Sequence, residues 1–313
     1  MGLSDRLICF LGPKGTSDQR TIALFRSVED YEALPMASIS EIIETVNYTP
    51  GCLGVVPIEN STEGELMSIT DKLIFESDAV KVQEEAVLAE QINAFGLAEP
   101  SMATTVVSHP QILELGSRFI RERGLAVKHV ASTTEACRYV RESGDGSLMA
   151  LAPPSVGHGA GLSLYRETVL DVPEIRTRYV LLGQGHPPRT GRDRTMVAIT
   201  PSVDVVGSLS QIAAIFANFG VNMTSIISRP LQAKLGVHSF LISCEGHIAD
   251  VAVRSVIINL LRHGHSVKHL GSFPKWAGVE VTTPFAALPL GSLDPGIAGD
   301  EEAVMRALGL DRG

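Results

Sequence analysis

Five polar residues, Glu59-Asn60-Ser61-Thr62-Glu63, follow the apolar run Leu53–Val56 and end at Gly64. A buried strand that empties carboxylate, amide and hydroxyl groups into a Gly-ended turn builds one wall of a small-molecule site. Ligands of α/β sheets sit in the crevice at the strand carboxyl ends. The same residues also read as a turn in which Asn60, Ser61 or Thr62 caps a helix starting near Leu66. Other strand ends carry similar groups. Thr16 follows Gly12-Pro13-Lys14-Gly15, Ser108-His109-Pro110-Gln111 closes the run Thr104–Ser108, and Ser132-Thr133-Thr134 closes Ala126–Val130. A hydroxyl beside a helix N-terminus suits a carboxylate ligand; each is also a plain cap, with Pro110 at a first helical position. Thr177-Arg178-Tyr179 leads into the apolar run Val180–Leu182. Arg178 is suited to grip a carboxylate in bidentate fashion, or else to pair with Asp171 or Glu174. Thr177 is a proton or hydrogen-bond donor, or an ordinary strand threonine. The Lys14 loop lacks the spacing of a nucleotide-binding P-loop. No Ser/His/Asp arrangement and no HxH or HExxH pair marks a nucleophile or a metal.

These groups need elements to position them. The pattern reads strand Leu7–Leu11, helix Ser17–Val28 capped by Ser17 or Asp18, helix Ser40–Asn47 capped by Ser40, and strand Leu53–Val56. It continues with helix Ile69–Phe75, strand-like stretches in Ala79–Leu97, strand Thr104–Ser108 and helix His109–Arg123. Strand Ala126–Val130, helix Thr133–Glu142 and strand Leu148–Ala152 follow. Alternation of this kind implies a sheet covered by helices. Gly183–Arg194, rich in Gly, Pro and Arg, reads as a linker. Beyond it come strand Thr195–Thr200, helix Ser208–Phe219, strands Met223–Arg229 and Gly236–Glu245, helix Ala249–His263 and strand Ser266–Phe273. That is the β-α-β-β-α-β order of a ferredoxin-like unit. The last stretch is a peripheral tail, weakly helical over Glu301–Leu308.

A length of 313 residues suggests about two domains, and 44% hydrophobic residues supply ordinary cores. The net charge of −9 and the lack of a basic stripe argue against nucleic acid. Cys9, Cys52, Cys137 and Cys244 are scattered, as buried thiols in a reducing compartment would be. With no leader pattern and no apolar run of membrane length, the expectation is a soluble, cytoplasmic protein without membrane contact.

The ordered set Phe10–Thr16, Gly54–Gly64, Ser108-His109-Pro110, Ser132-Thr133 and Thr177-Arg178-Tyr179 resembles prephenate dehydratase. Gly207-Ser208-Leu209 and Ile227-Ser228-Arg229-Pro230 resemble the two ligand motifs of that family's ACT regulatory domain. The resemblance covers about residues 6–275, and the Val56–Gly64 segment is its most specific part. It implies an α/β catalytic region of two lobes, like a type II periplasmic-binding-protein fold, over 1–183. A linker (184–194), a ferredoxin-like ACT domain (195–276) and a C-terminal tail (277–313) would follow. The implied reaction is the loss of CO₂ and water from prephenate to give phenylpyruvate for L-phenylalanine synthesis, with no metal or organic cofactor.

By resemblance, Thr177 assists the departing hydroxide, and Glu59 and Asn60 orient the hydroxyl and the ring. Thr16, Ser61, Thr62, Ser108, Ser132, Thr133 and Arg178 bind the substrate. Gly207, Ser208, Leu209, Asn222, Met223, Ser228, Arg229 and Pro230 would form the site for an amino-acid effector, L-phenylalanine or another. A homodimer or homotetramer is implied. The chain departs from the family pattern at Lys14 (usually Glu), at Leu115-Gly116 (Gln-Cys), at Glu174-Ile175-Arg176 (an Asn before the motif) and at Tyr179 (Phe). It also departs at Ser208 (Ala) and Ile227 (Glu). The change at Ile227 bears on how an amino acid's ammonium group is held. Two rivals follow: a prephenate decarboxylase that keeps the hydroxyl, a group that looks to lack the threonine motif, and a catalytically silent amino-acid sensor. The retained Thr177-Arg178 favours dehydration over decarboxylation, and intact Glu59, Asn60 and Thr177 argue against the silent sensor.

Overall fold

The computed structural model describes residues 6–172, 174–203, 205–231, 238–281, 292–293 and 295–308. Its elements in chain order are β1 (Leu7–Leu11), α1 (Ser17–Thr21), β2 (Glu32–Met36), α2 (Ile39–Tyr48), β3 (Leu53–Asn60), β4 (Gly64–Glu65) and α3 (Met67–Phe75). Next are β5 (Val80–Glu90), β6 (Asn93–Gly96), β7 (Thr105–Ser108), α4 (Pro110–Leu115), α5 (Ser117–Glu122), β8 (Ala126–His129), α6 (Thr133–Ser143) and β9 (Leu148–Ala152). Then come α7 (Pro154–Gly159), β10 (Ser163–Arg166), β11 (Ile175–Gln184), β12 (Asp193–Thr200), α8 (Ser208–Asn218) and β13 (Met223–Pro230). β14 (His238–Glu245), α9 (Val251–Arg262), β15 (Ser266–Pro274) and α10 (Glu301–Ala307) complete the set.

Three sheets organise these elements. The first runs β2-β1-β3-β11-β5, with β4 on β3; the second runs β10-β6-β9-β7-β8. In the first, β1 is parallel to β2 and β3, while β11 returns antiparallel between β3 and β5. The chain therefore leaves the first lobe after β5, builds the second, and comes back along β11. This double crossing places a crevice between two α/β lobes, the type II periplasmic-binding-protein arrangement. The third sheet, β13-β14-β12-β15, is antiparallel throughout and carries α8 and α9. Its strand order is that of the ferredoxin-like fold.

Several expected boundaries move, each for a local reason. The helix expected over Ser17–Val28 stops at Thr21, passes through a 3-10 turn and enters extended backbone at Phe25; its N-cap is Thr16 rather than Ser17 or Asp18. Ser38, not Ser40, caps α2 through the Glu41 N–H. The helix His109–Arg123 breaks at Gly116, which ends α4 and begins α5. β2, α7 and β10 were not expected. β3 runs through Asn60 rather than stopping at Val56, so Glu59 and Asn60 are strand residues. No side chain caps α3, whose N-cap is Leu66, which sets aside the capping role for Asn60, Ser61 or Thr62. The connection between β11 and β12 is shorter than the linker read from composition, because Gly183, Gln184, Asp193 and Arg194 are strand residues. The start expected for β14 at Gly236 lies outside the described residues.

Residues up to Val281 form one compact unit. One apolar cluster joins Ile42, Val46 and Val180 of the first lobe to Met196, Leu241, Leu270 and Phe273 of the third sheet. A Cβ on Gly271 would meet the Val82 backbone at 2.5 Å, so β15 crosses β5 at a distance only glycine permits. Lys268 reinforces the contact by donating to the Leu73, Ile74 and Ser77 carbonyls at the end of α3. Thr282–Gly313 form a separate small unit containing a 3-10 turn at Pro295–Ile297 and α10, capped by Asp300. All four cysteines are buried and free, and the Cys9 and Cys52 sulfurs lie 3.7 Å apart. No helix of the described residues is long and apolar enough to cross a membrane.

Candidate active site

A cavity of about 310 Å³ lies between the first two lobes, walled by Thr16, Pro57, Asn60, Ser132, Thr133 and Thr177 among others. Its floor is the antiparallel pair β3/β11, where Thr177 stands opposite Asn60 and Arg178 opposite Glu59. The register slips between Arg178 and Tyr179, because Tyr179 pairs with Pro57 and Ile58 is extra. Strict alternation would send Pro57 and Asn60 to opposite faces; the bulge re-phases β3 so that both face the cavity. On β11, Ile175, Thr177 and Tyr179 also face it.

The Asn60 amide is held in one orientation. Its Oδ1 accepts from the Thr62 N–H at 2.8 Å and the Thr62 hydroxyl at 2.6 Å, an Asx turn. That turns the NH₂ toward Thr177, whose Oγ1 it meets at 3.5 Å. Gln111 of the second lobe donates to the Thr62 hydroxyl at 3.2 Å, so the chain Gln111–Thr62–Asn60–Thr177 spans the crevice. Since Thr177 accepts from Asn60, its own proton is left to point elsewhere. Ser132 caps α6 by accepting from the Glu135 N–H, which leaves its O–H available to a ligand. Thr16 donates its hydroxyl proton to the Leu11 carbonyl at 3.2 Å, and its own carbonyl accepts the Arg20 N–H.

Five residues expected to touch a substrate do not line the cavity: Glu59, Ser61, Thr62, Ser108 and Arg178. Arg178 is side-chain buried on the reverse face of β11 and is taken by three carboxylates: Glu59 at 2.8 Å, Glu85 at 3.3 Å and Glu280 at 3.0 Å. Burial opposes its charge, but Glu85, Glu59 and Glu280 outweigh this and hold its pKa above the ordinary value. Its partners are neither Asp171 nor Glu174. Glu59 is turned to that reverse face with it, because residues opposed on paired strands share a face. Ser108 is fully buried and donates to the Leu151 carbonyl at 2.7 Å. Ser61 is occupied too, bonded through its N–H and its hydroxyl to the Arg176 backbone.

Residues missed in the sequence complete the lining: Asp18, Glu63, Glu90 and Tyr179. Glu90 accepts from Ser17 at 2.6 Å and pairs with Arg20. Asp18 is pushed up to about 7, mainly by burial and then by Glu90. Glu65, behind the turn, is also pushed up to about 7 by burial and by Glu59. Among the described lining residues there is no lysine or arginine. Among the described residues no group of His, Cys, Asp and Glu is arranged to hold a metal.

The residues expected to hold an effector are only partly together. Gly207, at φ 94°, begins α8, and a cavity there includes Gly207, Ser208, Gln211 and His265. Ser208 spends its hydroxyl on the Val203 and Val205 backbone. Leu209, Asn222, Met223, Ser228, Arg229 and Pro230 do not line that cavity. Asn222 and Ser228 are exposed and Met223 half-buried on the edge strand side. Arg229 reaches Asp71 of α3 with both arms of its guanidinium, so in this chain it fastens β13 to the first lobe.

Comparison with known proteins agrees with this architecture. The family model described as "Prephenate dehydratase" matches residues 8–187. A prephenate dehydratase of Methanocaldococcus jannaschii is 30% identical over 86% of this chain and 98% of its own length. The crystal structure of the prephenate dehydratase of Staphylococcus aureus is 26% identical, with a TM-score of 0.74 over 85% of this chain and 99% of that one. A prephenate dehydratase of Arthrobacter aurescens, solved in complex with L-Phe, covers 97% of this chain and 99% of its own at a TM-score of 0.77 and 24% identity. A family match over more than half of the chain, and a relative of this identity matched over nearly its whole length, lead to one conclusion: the chain belongs to the prephenate dehydratase family.

Proposed function

We propose that this chain converts prephenate to phenylpyruvate, releasing the ring carboxylate as CO₂ and the 4-hydroxyl as water. The observation that carries this reading is the Asn60–Thr177 pair on the cavity floor, held by Thr62 and Gln111. Aromatisation of the ring drives the reaction, so the protein must hold the ring still and stabilise the departing oxygen. Thr177 is the hydrogen-bond donor placed for that oxygen, and Asn60 orients it. The substrate is a dianion, and with Arg178 on the reverse face its carboxylates fall to neutral donors. Ser132 and Thr133, with the N-terminus of α6, take that part.

The test is incubation of the pure protein with prephenate, following CO₂ release and the ultraviolet absorbance of phenylpyruvate together. Phenylpyruvate formed faster than the acid-catalysed background is the expected result. CO₂ without an aromatic product would make the chain a decarboxylase, and neither product would leave an amino-acid sensor.

We further infer that the β12–β15 unit is an ACT regulatory domain that binds an amino acid, L-phenylalanine or a relative of it. The ferredoxin-like strand order supports this. The chain would act in the cytoplasm as a homodimer or homotetramer. The edge position of β13 with exposed Ile226 supports side-by-side pairing of this unit. Because Arg229 is engaged by Asp71, an effector's carboxylate would have to be met by the Gly207–Ser208 end of α8.

A further inference from the structure

The cavity contains a carboxyl group with no assigned task. Asp18 stands in the first turn of α1, on the wall that meets the Thr177 floor. Its Oδ1 is closed off from solvent and has no hydrogen-bond partner among the described residues. An ionised oxygen in that position would lose its water and gain nothing in return. The neighbours make ionisation harder. Glu90 on β5 lies beside it, bound by Ser17 and Arg20; a backbone hydrogen bond and Arg20 favour the ionised form, but burial outweighs them and Glu90 adds to it. Tyr179 on β11 is also within electrostatic reach. Glu63 and His109 are the other titratable residues lining the cavity. A dianionic ligand brought into this space adds still more negative charge. The neutral acid is the form this environment selects.

A proton is what the proposed reaction lacks. Cleavage of the C4–O bond expels hydroxide unless a proton arrives, and a threonine hydroxyl is too weak an acid to give one up near neutrality. We propose that Asp18 enters the reaction as a carboxylic acid and supplies the proton that leaves with the 4-hydroxyl as water. The bookkeeping balances without any other reagent. The bond between the ring and its carboxylate breaks and its electron pair completes the aromatic ring. CO₂ leaves, the C4–O pair goes with the oxygen, and that oxygen takes the Asp18 proton. Asp18 remains as a carboxylate and regains a proton from solvent when the product has left. Thr177, on this view, directs the leaving oxygen, and Asp18 neutralises it. The burial that pushes Asp18 up to about 7 matches the acid strength to its working pH.

This inference rests on the dehydratase reading, and one experiment separates the two. Wild-type and Asp18→Asn proteins are assayed with prephenate from pH 5 to 9, with kcat and KM determined separately. Wild-type kcat/KM should fall as the pH rises through about 7, where Asp18 of the free protein ionises, and kcat should fall at a higher pH because the bound dianion holds the proton on. Asp18→Asn should lose kcat by roughly 10²- to 10⁴-fold, the usual span for a positioned acid. Its KM should change only a few-fold, and its residual rate should show no alkaline fall. Asp18→Glu, a longer acid, should restore the alkaline fall together with part of kcat. Circular dichroism and retained binding of phenylpyruvate establish that the variants are folded. If Asp18→Asn keeps kcat within threefold, or its alkaline fall persists, Asp18 is not the acid while the dehydratase reading stands. If the wild type forms no phenylpyruvate at all, both readings fall together.

Discussion

Glu85 offers the sharpest test of how the third sheet is joined to the catalytic lobe. Its side chain is fully buried, yet it meets Arg178 at 3.3 Å and Arg194 at 3.2 Å and accepts the Trp276 N–H at 2.9 Å. Glu85→Gln preserves its shape and removes its charge. Arg178 keeps Glu59 and Glu280, but Arg194, only 15% exposed at its side chain, has no other ion pair among the described residues. Breaking a buried pair from one side typically costs about 3–5 kcal/mol, because the surviving charge is stranded. Against a stability of roughly 5–15 kcal/mol, that is a large fraction. Urea unfolding should be followed by far-ultraviolet circular dichroism and by the fluorescence of Trp276, the single tryptophan, which sits at this junction. The double variant Glu85→Gln/Arg194→Met should regain part of the loss, since no stranded charge remains. Glu142→Gln, which removes an exposed i,i+4 partner of Arg138, should leave the curve in place. A Glu85→Gln unfolding free energy equal to wild type within about 1 kcal/mol, the net scale of an ordinary hydrogen bond, would refute the argument.

Thr177→Ala should lower turnover by orders of magnitude with unchanged circular dichroism; near-normal turnover would remove Thr177 from the mechanism. Ser108→Ala should cost about 1 kcal/mol by orphaning the buried Leu151 carbonyl while leaving KM for prephenate unchanged, and a raised KM would mean that Ser108 reaches the substrate after all. Asp18 and Glu65 both have folded pKa values raised to about 7, so the folded chain holds more protons than the unfolded one between about pH 4 and 7. Their joint contribution to stability is therefore greatest at the acidic end of that window and is lost as pH rises through 7, and Asp18→Asn/Glu65→Gln should flatten the slope in chemical denaturation. Arg229→Ala should speed hydrogen exchange in α3, because the Asp71 clamp is lost, whereas a residue reserved for effector would leave that helix unchanged.

Much of the fold was legible because it rests on local signals. The apolar runs of β1, β7 and β9 and the amphipathic spacing of α6 and α9 each specify one element, and the βαββαβ order beyond residue 193 needed no long-range knowledge. β2, β10 and α7 escaped because their signals are weak or absent locally. β2 carries a proline and is mostly half-exposed, β10 is a short, largely exposed edge strand, and α7 is one turn rich in glycine. The helix drawn through Gly116 failed for a related reason. Periodicity continues across the residue, but its φ of −100° and ψ of 17° end the hydrogen-bond ladder.

The site errs in a more instructive way, because strand parity decides it. Thr177 and Arg178 are adjacent, so if one faces the cavity the other must face away. The sequence alone gives both the right chemistry for a dianion and cannot say which is turned in. Asn60 and Glu59 pose the same choice, and the bulge at Ile58 resolves it; a slip of one residue there would exchange the two. Arg178 is then drawn to the reverse face, where Glu59, Glu85 and Glu280 neutralise it. The cavity is left with hydroxyls, an amide and acids that burial can keep protonated. A charged guanidinium in the cavity would have bound prephenate more tightly before reaction and would also have pulled Asp18 toward its ionised form. Placing the arginine behind the strand lets the same residue brace the catalytic floor without lowering the acidity threshold of the group in front of it. The prediction that separates these roles is Arg178→Gln. It removes the charge and the fork that meets three carboxylates, so stability should fall and the alkaline limb of kcat/KM should stay near pH 7. A limb displaced by a full unit would place Arg178 in the electrostatic field of the cavity and overturn the division between the two faces.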